Sequence, residues 1–334
     1  IVPMNKLEMG HDGTLSYGEN SAPVNSWAHS QIASFSNIPK QYYDRIRTEN
    51  SALLANNVNH AFTRTQILSA ESGKKDHRMI RTLDGNVRAF LGSKYRRLDC
   101  YDLLEAVFPV LEKNGITVES SEITESKLYL QCTTPRLTVD VKKGDAVQYG
   151  LVISSSDVGA GSVRVEPMIY RLVCSNGLIM PVAMRKYHSG KEQASDDIYE
   201  ILSDETKALS DQAFWNQVRD IVTHSCKEEV FFKEVRKLAE ASTMTITSDN
   251  LDQVVELSMR SVGIYAENRK HSIVAALARG ADGAGMTKWG LMNAFTEVAQ
   301  KPEVDYDESI QMQRAAGKLL EIPAREWLRI SEAV

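Results

Sequence analysis

Arg81, Arg88, Lys94, Arg96 and Arg97 lie on or just after a short strand–turn–strand pattern, with Tyr95 among them. Cations in such a row can track the phosphates of a polynucleotide, and a neighbouring aromatic ring can stack a base. A solvated sheet face would carry the same residues. A second basic set, Lys142, Lys143, Arg164, Arg171, Arg185 and Lys186, falls on later strand-like segments. Lys142-Lys143-Gly144-Asp145 also reads as an ordinary hairpin turn. Arg164 and Arg171 interrupt apolar strand positions, and a half-buried arginine there needs a phosphate or a carboxylate, with Glu166 one available acid.

Signals for catalysis are weaker. Asp140-Val141-Lys142 fits half of a metal-dependent nuclease site, with Glu119 or Glu122 as an upstream carboxylate. The same acid-x-Lys spacing recurs at Glu125–Lys127 and Glu205–Lys207, so it carries little weight. The glycine-rich run Gly280 to Lys288 lacks the Gly-Lys-Ser/Thr order of a nucleotide loop and reads better as a helix-to-helix turn capped by Thr287. The histidines take no metal-ligand spacing, and no Ser or Cys has a nucleophile-elbow context. The four cysteines, Cys100, Cys132, Cys174 and Cys226, form no Cys-x-x-Cys pair and read as reduced thiols. The residues therefore recommend neither an enzyme nor a bound cofactor.

The elements that must position these groups follow from periodicity. The first 25 residues read as an irregular arm, followed by helices opened by Ser26 and Pro39 and another from Ser51 to Phe62; residues 69–76 read as a loop. Met79–Leu83 and Val87–Leu91 alternate with period two around Asp84-Gly85, a two-residue hairpin turn. Asp99 caps a helix, Tyr101 to Lys113, that Asn114-Gly115 ends. Strands are expected at Thr117–Ile123, Lys127–Cys132, Leu137–Val141, Ala146–Ser154 and Ser162–Cys174, with Asn176-Gly177 closing the strand-rich block. Helices are expected at 197–209, 211–224, 226–241, 250–266, 270–279, 287–300 and 307–320, with caps at Ser210 or Asp211, Asp249 and Thr287. The class is α+β: an antiparallel sheet with a packed helix within 26–190, then a helical region over 191–334.

The net charge of −5 hides a segregation. Residues 61–98 hold nine Lys/Arg against three Asp/Glu, whereas residues 189–262 hold eight against fifteen. Positive potential is thus concentrated in one region. No apolar run approaches the ~20 residues of a membrane span, and Ile1 to Asn20 carry no hydrophobic signal region, so neither a membrane nor export is expected.

Three stretches, Arg81–Leu91 continuing through Lys94–Asp99, Arg171–Leu178 and Thr287–Glu297, resemble the phage- and plasmid-like group catalogued as domain of unknown function nine hundred and thirty-two. The likeness runs in order from about Trp27 to about Trp327. It implies a mobile-element protein in the cytoplasm of a bacterial host. In outline the strand-rich block with its helix is also similar to the single-strand annealing superfamily, whose members form rings or filaments, hold single-stranded DNA in a basic groove and use no nucleotide or catalytic metal. That second likeness implies a recombination protein that anneals complementary strands as a homo-oligomer, working with a partner such as an exonuclease. Arg81, Arg88, Lys94, Arg96 and Arg97 would contact phosphates, Arg164, Arg171, Arg185 and Lys186 would extend the groove, and Tyr95 would stack on bases. A metal-dependent nuclease and a non-catalytic protein-binding factor that counters host defence are the competing expectations.

Overall fold

The computed structural model describes residues 1–73, 76–93, 95–173, 176–181, 184–186, 203–265, 267–280 and 283–333. Lys94, Cys174 and the expected boundary near residue 190 lie outside them, as do the side chains of Arg185 and Lys186.

Residues 1–25 are ordered rather than irregular. Strand β1 (Val2–Pro3) and the β2–β3–β4 sheet (Leu7–Met9, Thr14–Tyr17, Asn20–Pro23) bury Met4, Leu7, Met9 and Leu15. These strands are too short to show a clear period, and a side chain completes them: Asn59 accepts from the Met9 N–H at 2.7 Å and donates to its carbonyl at 2.9 Å. Helices α1 (Ser26–Phe35), α2 (Lys40–Glu49) and α3 (Ser51–Glu71) pack on them and on the hairpin β5 (His77–Leu83) and β6 (Asn86–Gly92). Asn25 rather than Ser26 caps α1, accepting from the Ala28 N–H at 2.8 Å. The hairpin turns as expected, with Asp84 and Gly85 both at positive φ, 50° and 75°.

Beyond the hairpin, α4 (Cys100–Lys113) starts at the expected cap Asp99, which the structure completes into a capping box with Asp102. A larger antiparallel sheet follows, with β7 (Thr117–Ile123), β8 (Leu128–Lys142), β9 (Asp145–Ser155), β10 (Val163–Arg171), β11 (Asn176–Ile179) and β12 (Met184–Lys186). Its order is β11-β10-β9-β8-β7, with β12 also paired to β10. Two expected strands fuse into β8 across a register shift between Thr134 and Thr138, near Pro135. Asn176-Gly177 opens β11 instead of ending the block.

The helices that follow are α5 (Asp204–Ser225), α6 (Glu228–Thr243), α7 (Leu251–Val262), α8 (Glu267–Ala278), α9 (Lys288–Ala299), α10 (Tyr306–Leu320) and α11 (Ala324–Ser331). The first replaces two expected helices. Ser203, not Ser210 or Asp211, is its cap, accepting from the Thr206 N–H at 3.2 Å. Asn250 replaces Asp249 as the cap of α7, and Thr287 caps α9 as expected. Among the described residues no helix is long and apolar enough to cross a membrane.

The helices share the sheet's core instead of building their own. Val147, Tyr149, Leu151 and Ile153 alternate along β9 toward Phe214, Val218 and Phe231 of α5 and α6, with Tyr149 and Phe231 centroids 5.4 Å apart. On the other face, Tyr129, Val152, Met168 and Ile179 meet Ile310 of α10. Helix α10 comes close enough for a Cβ on Gly317 to stand 1.9 Å from the Ile179 carbonyl oxygen. A backbone atom cannot rotate away, so Gly317→Ala is expected to cost about 3 kcal/mol by urea unfolding. A loss below about 0.5 kcal/mol would show that helix and strand tolerate a wider spacing.

Candidate nucleic-acid interface

Among the described residues, the basic side chains singled out in the sequence do not form one solvent-facing stripe. Arg81 donates to Asp99 at 2.6 Å and to Asp157 at 3.4 Å, and Arg88 meets Asp157 at 3.3 Å. Asp157 is buried, so the hairpin arginines point into the protein and fasten the hairpin to the β9–β10 loop. Arg96 pairs with Asp211 of α5, and its guanidinium lies 5.5 Å from the Phe214 ring centre. Arg97 is exposed. The Tyr95 hydroxyl donates to the Ser156 carbonyl at 3.3 Å, and burial pushes its pKa up to about 12. Tyr95 therefore braces the same loop. Arg171 is buried against Asp145 at 2.6 Å, while Glu166, the expected partner, takes Arg314 instead. The backbone of Arg185 and Lys186 pairs with Arg164 and Val163.

Of those residues, Arg164 lines a half-open cleft of about 280 Å³, together with Lys127, Arg314 and Lys318. Ser154, Ser155 and Ser162 add hydroxyls, and the Val262-Gly263-Ile264 turn after α7 closes one side. Each wall has a local cause. Lys127 stands just before β8, in a tight turn in which its N–H donates to Thr124 Oγ1 at 3.1 Å. Asp307, Gln311, Arg314 and Lys318 recur at four, three and four residues along α10 and so share one face of that helix. Glu166 holds the Arg314 guanidinium at 2.9 and 2.5 Å and fixes its direction. Lys318 Nζ donates to the Val262 carbonyl at 3.4 Å.

The floor is the loop from Ser155 to Ser162. Ser156 Oγ donates to the Ser126 carbonyl at 2.7 Å and accepts from the Ala160 N–H at 2.8 Å. The Val158 carbonyl accepts from Trp27 Nε1 at 2.9 Å and Gln31 Nε2 at 2.7 Å. Gly159, at φ 82°, sits in the left-handed region that favours glycine, and a Cβ there would stand 2.8 Å from Leu91 Cδ2 and push that side chain aside. The loop is thus held from several sides before any ligand arrives.

Burial draws the Lys127 ammonium below its ordinary pKa; Asp307 and Glu166 oppose that shift, and the nearby charges of Arg314 and Arg164 add to it. Like charges gathered around a partly desolvated lysine gain from an anion arriving among them. The cleft can therefore take a phosphate, with ammonium and guanidinium donors on several sides. A second cleft of about 380 Å³ adjoins it through Lys127, Ala160 and Gln311, and a third, including Arg47 and Arg88, adjoins the second through Ser26 and Glu125. The second and third are lined by residues of the N-terminal helices and hairpin as well as by the start of the larger sheet, whereas the first lies between that sheet and α10.

Sequence reasoning passed over Lys127, Arg314 and Lys318. The available signals were the helical spacing of Gln311, Arg314 and Lys318 and the Ser/Gly-rich run Ser154-Ser155-Ser156-Asp157-Val158-Gly159-Ala160-Gly161-Ser162. The residues of the nuclease expectation serve other ends. Asp140 accepts from the Gly144 N–H at 3.0 Å within its own turn, and Glu119 accepts from Thr133 at 2.6 Å. Asp140 lies several residues along β8 from Thr133, a separation of roughly 20 Å at the rise of a strand. Among the described residues no group of three or more His, Cys, Asp or Glu is placed to hold a metal ion.

Fold and cleft together define an α+β protein with a basic, serine-lined site at one end of an antiparallel sheet. The chain belongs to the family described as Domain of unknown function (DUF932), whose model matches residues 89–317. That span opens within the β5–β6 hairpin and takes in Lys127, Arg164 and Arg314, whereas Lys318 lies one residue past its end. No curated protein and no solved structure matches the chain.

Proposed function

We propose that this protein binds single-stranded DNA, with the phosphate backbone entering the cleft between the β9–β10 loop and α10. The observation that carries this reading is the convergence of Lys127, Arg164, Arg314 and Lys318 on one half-open, serine-lined space, against the carboxylates of Glu166 and Asp307. The likeness to strand-annealing proteins suggests the use of such binding: strands held by their phosphates keep their base edges free to test pairing. Annealing as an oligomer in phage or plasmid recombination is the role that fits.

The first test is fluorescence anisotropy with a labelled single-stranded oligonucleotide across a salt series. Seating about three phosphates along the cleft would release their condensed counterions. Affinity is then expected to fall about 20-fold between about 50 and about 200 mM salt. A flat response would remove the electrostatic reading. Oligonucleotide cleavage on adding magnesium would instead favour a nuclease.

A further inference from the structure

We infer that the cleft beside the phosphate site is a nucleobase subsite in which Trp27 stacks one unpaired base of the strand. The inference rests on the single-strand reading above and adds what that reading leaves open: why an unpaired strand would be preferred over a duplex.

Trp27 lines the adjoining cleft of about 380 Å³ together with Lys127, Asp307, Gln311 and Ser30. Its ring is already set in place. The indole N–H donates to the Val158 carbonyl at 2.9 Å, and part of the ring packs against the cluster of Met79, Ala89, Leu91 and Val158. Trp27 nevertheless stays partly exposed, so the remaining ring surface faces the cleft. An aromatic platform ordered before binding loses little further entropy when a base lands on it. The wall shared through Lys127, Ala160 and Gln311 sets the platform directly beside the cations, as phosphate and base are joined in one nucleotide.

This arrangement discriminates by strandedness. A base in a duplex is stacked on its neighbours and paired, so reaching Trp27 would require flipping it out of the helix. An unpaired base reaches the ring without that cost. Stacking uses the face of the base and leaves its pairing edge open, as annealing requires.

The test compares two oligonucleotides of equal length and charge, one of thymidines and one of abasic residues, on the full chain. Wild-type protein is expected to bind the base-bearing strand about tenfold more tightly. Trp27→Ala should remove that difference by weakening only the base-bearing strand, and Trp27→Phe should retain most of it. Indole fluorescence supplies a readout independent of the alanine variant's folding: the thymidine strand should quench wild-type emission more than that of Trp27→Phe. Equal wild-type affinity for the two strands, or a preference that survives Trp27→Ala, overturns the subsite and leaves the phosphate cleft standing. Failure of wild-type protein to bind either strand removes both.

Discussion

Asp145→Ala is expected to destabilise the protein by about 4 kcal/mol, enough to remove much of the stability of an ordinary domain. Asp145 is buried where β9 begins, and its two oxygens serve different elements. One accepts from Arg171 Nε of β10 at 2.6 Å, and the other from Trp289 Nε1 of α9 at 2.9 Å. The Arg171 guanidinium also lies 5.7 Å from the Trp289 ring centre. Removing the carboxylate takes an acceptor from a buried guanidinium and from a buried indole N–H, which is the costly way to break a buried pair. Asp145→Asn keeps a neutral acceptor and should lose less. Urea unfolding of the three proteins measures both differences; an alanine loss below about 1 kcal/mol would mean that water reaches the site and takes over the contacts. The same contacts assign Arg171 a structural part, so its replacement would disturb folding before it reported on DNA.

Lys127→Glu combined with Lys318→Glu is expected to weaken single-strand binding by about a hundredfold or more. Each exchange removes a charge-assisted phosphate contact of about 1.5–3 kcal/mol and adds a repulsive carboxylate. Lys318 is itself exposed on α10, and Lys127 lies near the charges of Arg164 and Arg314, which a glutamate there would attract, so the fold should survive. Anisotropy titration at one salt concentration reads the loss directly, and circular dichroism confirms the fold. Arg97→Ala is the informative comparison, because Arg97 is exposed and outside the cleft. Strong weakening by Arg97→Ala beside an unaffected double variant would return the interface to the hairpin.

Much of the fold was legible in the chain because its causes are local. The β5–β6 turn follows from Asp84-Gly85 tolerating positive φ, and α4 from Asp99 as its cap. Errors came where a local signal had a stronger rival. Ser210-Asp211 reads as a helix cap, yet Ser203 caps the helix earlier and Asp211 lies within it, facing Arg96. Residues 1–25 read as irregular because their strands are only two to four residues long and depend on the side chain of Asn59, far along the chain.

The sequence by itself determined the α+β class, the Asp84-Gly85 turn, the caps at Asp99 and Thr287, family membership and a supply of cations in the central region. Tertiary structure alone decided which cations a ligand can reach. Arg81 meets Asp157 across 76 positions and Arg96 meets Asp211 across 115, while Arg314 arrives from 148 positions beyond Glu166 to join Lys127 and Arg164. A guanidinium looks the same in a chain whether its carboxylate will come from another element or its phosphate from solution. Periodicity and capping act over a few residues, whereas burial and ion pairing depend on which distant segments pack together.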